Sequence, residues 1–217
     1  MTTIRTVLFD LDGTLIDSLR LILDSYHHTL EQHGLPGRTD DEWLKGVGTP
    51  LAVQLSEWRD ELGTIEAMIA TYREYNLEHH DRMVAVYPGI LDAVREIKAA
   101  GLQTGLVTSK NRHGALRGLS LVGLEALMDV LVCADEVTNP KPHPEPVEKA
   151  VTLLGAEPAT TLYVGDSIHD MNSGRAAGVL TAAALWGPFG RAQLEEARPD
   201  YWLETPGDLV ELLRGEK

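Results

Sequence analysis

The chain has 217 residues, 43% of them hydrophobic, and a formal net charge of −14. That length can bury a sizeable core, as one large domain or as a core with a smaller insert, while the acidic balance argues against nucleic acid or an anionic membrane as partner, since basic patches usually meet both. The single cysteine, Cys133, excludes an intramolecular disulfide, and no apolar run approaches the roughly 18 residues of a membrane span.

Arg5, Asp10 and Asp12 fall where a signal peptide would need an unbroken apolar segment, so a reducing cytoplasm is the expected setting. Between Arg5 and Asp10 lies an apolar run, Thr6 to Phe9, which reads as a strand buried on both faces of a parallel sheet. Asp10 and Asp12 are then expected at its carboxyl end, where open α/β sheets bind their ligands, and Gly13 allows a sharp turn beyond. Two carboxylates this close repel and raise one another's pKa unless a divalent metal neutralises them. The pattern therefore asks for a cation.

From Ser18 to His33, Leu19, Ile22, Leu23, Tyr26 and Leu30 recur at helical spacing, and Gly34-Leu35-Pro36-Gly37 stops the helix. Asp40 to Lys45 and Leu51 to Trp58 read as shorter helices split by Gly46-Val47-Gly48-Thr49-Pro50, and Ile65, Met68, Ile69, Tyr72 and Tyr75 mark a longer one. No strand is expected between the first one and the turn at Tyr87-Pro88-Gly89, so this helical stretch reads as an insertion. Beyond it, a helix on Leu91, Val94 and Ile97 ends at Gly101. Strands are expected at Gln103 to Val107, Val130 to Cys133, Thr161 to Val164 and Val179 to Ala184, with helices near Arg112 to Leu121, Glu145 to Leu154 and His169 to Ala177. An edge strand at Asp200 to Leu203 and a closing helix, Pro206 to Leu213, complete the chain. Such alternation predicts an α/β fold with a parallel sheet.

Four short blocks then stand in order: Asp10-Leu11-Asp12-Gly13-Thr14-Leu15, Thr108-Ser109 closing an apolar strand, Lys141 in Asn139-Pro140-Lys141-Pro142, and Gly165-Asp166-Ser167-Ile168-His169-Asp170. In content and order they resemble the haloacid dehalogenase superfamily. The resemblance implies a Rossmann-like core, its parallel sheet flanked by helices, with an inserted all-helical cap: residues 1–16 and 87–217 for the core and 17–86 for the cap. It implies a phosphatase that uses Mg2+ and acts on a small phosphorylated metabolite through an aspartyl-phosphate on Asp10. A phosphate dianion repels a carboxylate, so attack by Asp10 needs bridging positive charge. By family correspondence the metal ligands are the Asp10 side chain, the Asp12 backbone carbonyl and Asp166, with Asp170 orienting that shell. Lys141 would add a second positive charge. Thr108 and the Ser109 amide would donate to phosphoryl oxygens, Asp12 would serve as general acid and base, and Thr14 would hold Asp12 in place.

Within the family the chain looks closest to the capped branch containing phosphoglycolate phosphatases and pyrophosphate-cleaving relatives, on Asp12 to Ser18, Gly48 to Leu51, Trp186-Gly187 and Asp200-Tyr201-Trp202. A β-phosphoglucomutase-like mutase is the alternative. Lys45-Gly46-Val47 resembles a mutase cap segment, but Ile22 stands where such relatives carry a histidine. Retention of Asp12 argues against carbon–halogen cleavage, and retention of all motif positions argues against a non-catalytic module.

The remaining conspicuous residues have plainer readings. His27-His28 and His79-His80 are adjacent pairs, which do not share a helix face and read as surface helix rather than metal ligands. His169 reads as a solvent-side spacer, Cys133 as a packed core thiol, and Trp43, Trp58, Trp186 and Trp202 as packing residues. Arg20 and Lys45 in the insert, and Lys110, Arg112 and His113 after the second motif, are candidates for holding the substrate's distal group, with Ser109, Lys110, Arg20 and Lys45 as the expected substrate contacts.

Overall fold

A computed structural model describes residues 3–56 and 65–215. Eight strands run in chain order: β1 (Thr6–Phe9), β2 (Ile16–Asp17), β3 (Ala85–Val86), β4 (Gln103–Val107), β5 (Val130–Val132), β6 (Thr161–Gly165), β7 (Leu180–Ala184) and β8 (Tyr201–Leu203). Six of them form one parallel sheet in the order β5-β4-β1-β6-β7-β8. The chain builds outward from β1 to β4 and β5, then crosses back to add β6, β7 and β8 on the other side. The strand order thus reverses beside β1, and the crevice at its carboxyl end is the place where such sheets bind ligands.

All four β1 residues are buried. Val7 and Phe9 join one apolar layer with Leu106, Val164, Ile90, Val94 and Leu209, while Leu8 points the other way among Val107, Tyr163, Val147 and Val151. Helices on both faces explain why this strand alternates nothing polar. On one face lie α5 (Ile90–Ala99), α6 (Arg112–Leu121) and α10 (Pro206–Arg214); α7 (Glu145–Leu154) and α8 (Ile168–Ala176) cover the other, and α9 (Arg191–Leu194) is a single turn. The fold is the α/β core with a parallel sheet expected from the alternation of elements, and the Rossmann-like one that the resemblance implies.

The helical stretch comprises α1 (Leu19–Gln32), α2 (Asp40–Leu44), α3 (Leu51–Gln54) and α4 (Ile65–Met83). Its apolar cluster is its own: Leu23, Tyr26, Leu30, Trp43, Leu55 and Met68 are buried together, and the Tyr26 and Trp43 rings stack with centroids 4.1 Å apart. Offset aromatic pairs of this kind add ~0.5–1.5 kcal/mol beyond their buried area. The rest of the helix expected to run to Trp58 lies outside the described residues.

Two expectations need correction. The crossings between core and helical stretch pair as an antiparallel ladder, Ile16 opposite Val86 and Asp17 opposite Ala85, where no strand was expected. Two-residue strands are too short to show a period. His80 is not a surface residue: it is 1% exposed at the end of α4, with Nδ1 2.9 Å from Asp81, which Arg117 of α6 binds in turn. His27, by contrast, meets Asp40 at 2.6 Å, and His28 and His79 pack on Tyr75. Among the described residues, no helix is long and apolar enough to cross a membrane.

Candidate active site

The sheet register assembles the site. Phe9 lies opposite both Leu106 and Val164, so the residues just past β1, β4 and β6 converge at one edge. Asp10 extends the pairing by one bond, its N–H donating to Val164 O at 2.9 Å, and Thr108 does likewise to Val132 O at 3.0 Å. Asp166 follows Gly165 directly. The Asp10, Thr108 and Asp166 side chains are consequently held by the sheet rather than by mobile loops, and all three residues are buried.

After Asp10 the chain turns at once. Leu15 and Ile16 both donate to Leu11 O, and Gly13 sits at φ +86, where a side chain is strained and a Cβ would run into the Asp166 carboxylate. Trp186 closes the turn from outside, its indole N–H donating to Thr14 O at 2.9 Å. The Thr14 hydroxyl donates to Asp166 Oδ1 at 2.9 Å. This corrects the expectation that Thr14 steadies Asp12; the turn aims the hydroxyl across at the β6 end.

Lys141 reaches the same edge and is 3% exposed. Its ammonium lies 2.9 Å from Asp10 Oδ1 and 2.6 Å from Asp170 Oδ1. Asp170 is held by everything around it. Ser167 gives it both a backbone N–H at 3.0 Å and a hydroxyl at 2.6 Å, and the Tyr163 hydroxyl lies 2.9 Å from its Oδ1. Burial would raise the Asp170 pKa, but Lys141 and the Ser167 donors outweigh it and the carboxyl is lowered. Asp170 therefore anchors Lys141, and Lys141 faces Asp10.

Asp12 belongs to a separate pair. Lys110 Nζ contacts both its oxygens, at 2.9 and 3.0 Å, and the Ser18 hydroxyl donates to Oδ1 at 2.5 Å. Burial favours the neutral acid, yet Lys110 and Ser18 prevail and the pKa is lowered. Both partners are donors, the arrangement of an ionised carboxylate.

Asp10, Asp166 and Asp170 each bring an oxygen within 4.8 Å of the others, and all are buried. One ammonium, Lys141, pairs with two of the three, Asp10 and Asp170. Burial lifts Asp10 to about 7 against the pull of Lys141, with Asp170 and Asp12 adding to the rise, and burial with the Asp170 and Asp10 charges holds Asp166 well above the usual carboxylate range. Asp10 Oδ1 has only the Lys141 ammonium, 2.9 Å away, beside it among the described residues. Uncompensated negative charge in an all-oxygen cluster of three buried carboxylates fits a hard divalent cation such as Mg2+. Asp10 and Asp166 are the side chains free to hold it, since Asp170 is occupied by Lys141 and Ser167.

This cluster predicts a pH-dependent stability. Without metal, the folded chain keeps the Asp10 proton to about 7, whereas the ordinary value is 3.8. Between those values unfolding releases a proton, so the contribution of Asp10 to stability declines as pH rises from about 4 to about 7. In chelator, the Tm of the wild type should fall across that interval relative to Asp10→Asn, and Mg2+ should recover it with the larger gain at the alkaline end. A wild-type Tm indifferent to Mg2+ above neutrality would contradict a cation site here.

Above the cluster lies a cavity of about 330 Å³ lined by Asp10, Asp12, Thr108 and Asp166 from the core and by α1, α4 and the Gly48 loop from the helical stretch. Gly48 sits at φ +98, and a Cβ there would press on Ser167 and His169. Ser109, beyond its backbone amide, donates its hydroxyl to Gly48 O at 2.6 Å, tying the β4 end to that loop. The Thr108 hydroxyl accepts from Lys110 N–H at 3.2 Å, which leaves its proton to point elsewhere. Of the expected distal contacts, Lys110 and His113 line the cavity. Arg20 does not: it is ion-paired with Asp24 and Asp40 on the solvent side of α1. Lys45 lines a smaller cavity with His169 and Phe189, where His169 is half-buried rather than a solvent-side spacer. Arg112 pairs with Glu136 at 2.9 Å, and Cys133 is a buried thiol that burial pushes up to about 12.

The sequence reading missed Ser18 and Tyr163. Ser18 carried a signal as a capping-type residue before α1; Tyr163 reads only as strand core.

Comparison with known proteins agrees with this geometry. The family description "Haloacid dehalogenase-like hydrolase" matches residues 7–184, and the chain belongs to that family. It is 42% identical over 210 residues to a pyrophosphatase PpaX of Bacillus cereus (strain B4264), covering 97% of this chain and 96% of that protein, and 42% identical to that of Bacillus pumilus over 98% and 97%. Among solved structures, a haloacid dehalogenase-like hydrolase from Bacteroides fragilis superposes with a TM-score of 0.83 at 28% identity, over 95% of this chain and 99% of that one.

Proposed function

We propose that this enzyme is a Mg2+-dependent phosphatase that transfers a phosphoryl group to Asp10, with inorganic pyrophosphate as the favoured substrate and a phosphoglycolate-type monoester as the second reading. The observation that carries it is Asp10 itself. A buried carboxylate at the end of the central strand, with one facing ammonium and a second acidic residue at cation distance, is placed for nucleophilic attack on a phosphoryl group.

The bound metal would offset the charge of the phosphoryl oxygens as Asp10 approaches. Lys141 adds fixed positive charge on the same side, and the Thr108 hydroxyl and Ser109 amide donate to the oxygens as charge shifts. Asp10 forms a bond to phosphorus as the bond to the leaving oxygen breaks. Asp12 then takes a proton from water as the water oxygen bonds to phosphorus and the Asp10–phosphorus link breaks, which frees phosphate and restores Asp10. Asp12 passes its proton to the departing phosphate or to solvent and is again a carboxylate. Residues 17–86 act as the cap that closes this site, with the Gly48 loop as the part that meets Ser109.

Two points favour pyrophosphate. The 42%-identical relatives over nearly the whole chain are named pyrophosphatases, whereas a phosphoglycolate phosphatase assignment belongs to a structure from Lactobacillus plantarum at 26% identity and a TM-score of 0.83. Asp12 also sits between two donors as a carboxylate, which suits a leaving group that departs without a proton. Phosphate does so far more readily than an alkoxide.

The test is phosphate release from pyrophosphate, 2-phosphoglycolate and a panel of phosphorylated metabolites, with and without Mg2+. Metal-dependent release led by pyrophosphate is the expected result, and no release from any compound would overturn the reading.

A further inference from the structure

We infer that Arg73, on the cavity face of α4, receives the second, non-transferred anionic group of the substrate and so selects compounds that carry one. The inference rests on the phosphatase reading and adds to it a specificity residue and a substrate class.

The face of α4 fixes where Arg73 sits. Ile69, Tyr72, Arg73, Asn76 and Leu77 all line the cavity, the spacing of one stripe along a helix. Asn76 is buried on that stripe, its amide donating to Ser25 at 3.1 Å, which locks the orientation of the helix against α1. Arg73 is therefore part of the cavity wall while remaining exposed to solvent.

Charge supplies the second argument. The cavity floor is acidic, and Lys110, the lysine that lines it, is already committed to both oxygens of Asp12, while Lys141, buried behind the floor, is committed to Asp10 and Asp170. Arg73 has no ion pair among the described residues. Its helical neighbours at three and four positions either way are Ile69, Ala70, Asn76 and Leu77, so α4 offers it no carboxylate. In a chain of net charge −14, an arginine on a cleft with no acidic partner among the described residues is the group with charge to spare. A guanidinium is suited to a phosphate or carboxylate, which it can bind in bidentate fashion. A phosphoryl group seated at Asp10 and Lys141 would leave its attached anion to be met from the cap side, by Arg73.

The experiment compares wild type with Arg73→Gln and Arg73→Lys in turnover and in binding. Turnover uses pyrophosphate, 2-phosphoglycolate and p-nitrophenyl phosphate, the last having no second anion. Binding uses methylenediphosphonate, a non-hydrolysable diphosphate, against orthophosphate. Arg73→Gln should raise KM for pyrophosphate about tenfold, the effect of ~1.4 kcal/mol, and weaken methylenediphosphonate to the same extent. p-Nitrophenyl phosphate turnover and orthophosphate binding should stay within about twofold, and Arg73→Lys should recover part of the loss. The 2-phosphoglycolate arm tells whether a carboxylate serves as well as a second phosphoryl group. Equal losses on every compound, or unchanged methylenediphosphonate binding, would overturn the assignment. Absence of turnover in the wild type would instead count against the phosphatase reading, while the binding pair would still decide Arg73.

Discussion

Asp10→Asn should abolish turnover, by roughly 10⁴-fold or more, the scale on which loss of a nucleophile acts, while the protein folds and melts normally. An amide cannot attack phosphorus, and no neighbouring carboxylate can replace Asp10. Asp170 is held by Lys141, Tyr163 and Ser167, Asp166 is bound by Thr14, and Asp12 is turned toward Lys110. Stability should not suffer, because the substitution removes one of three clustered buried carboxylates and leaves Lys141 paired with Asp170. Phosphate release and a melting curve on the same preparation check both halves. Appreciable release by a pure, folded variant would rule out Asp10 as the nucleophile.

Lys141→Met should damage the enzyme in two ways. Its ammonium faces the Asp10 carboxylate proposed as the nucleophile, so its loss should lower kcat by ~10²–10³, as removal of one preorganised charge-stabilising group does, with little change in KM. A change confined to KM would make Lys141 a simple binding residue. Removing it also strands Asp10 and Asp170 at full burial, and breaking a buried pair from one side costs about 3–5 kcal/mol. The Tm should fall in chelator and recover in part with Mg2+, or in Lys141→Met/Asp170→Asn, where the stranded charge is gone. A variant as stable as the wild type in chelator would contradict the charge balance described for the site.

Much of this was readable in the sequence, for identifiable reasons. The runs at Thr6 to Phe9 and Gln103 to Val107 announce buried strands because both faces of this sheet are covered, and the observed strands begin and end where those runs do. Asp10, Thr108 and Asp166 could be placed at strand ends because each directly follows, or comes one residue after, such a run. What could not be read depends on residues far apart meeting in space. Thr14 finds Asp166 across 152 positions, and Lys110 finds Asp12 across 98. No local pattern encodes either bond. The Ile16–Val86 pairing is invisible for the same reason. Arg20 and Arg73 look alike as helix-borne arginines, and what separates them is tertiary: one meets Asp40 from α2 and the other faces a cavity.

The most direct test of the central claim, that phosphoryl transfer passes through Asp10, is the stereochemistry at phosphorus, read with a p-nitrophenyl phosphate made chiral by oxygen isotopes and a diol as acceptor in place of water. Transfer to Asp10 followed by attack on the aspartyl-phosphate is two in-line displacements and predicts net retention. Net inversion would mean that the acceptor attacks the substrate directly, with no covalent step on Asp10.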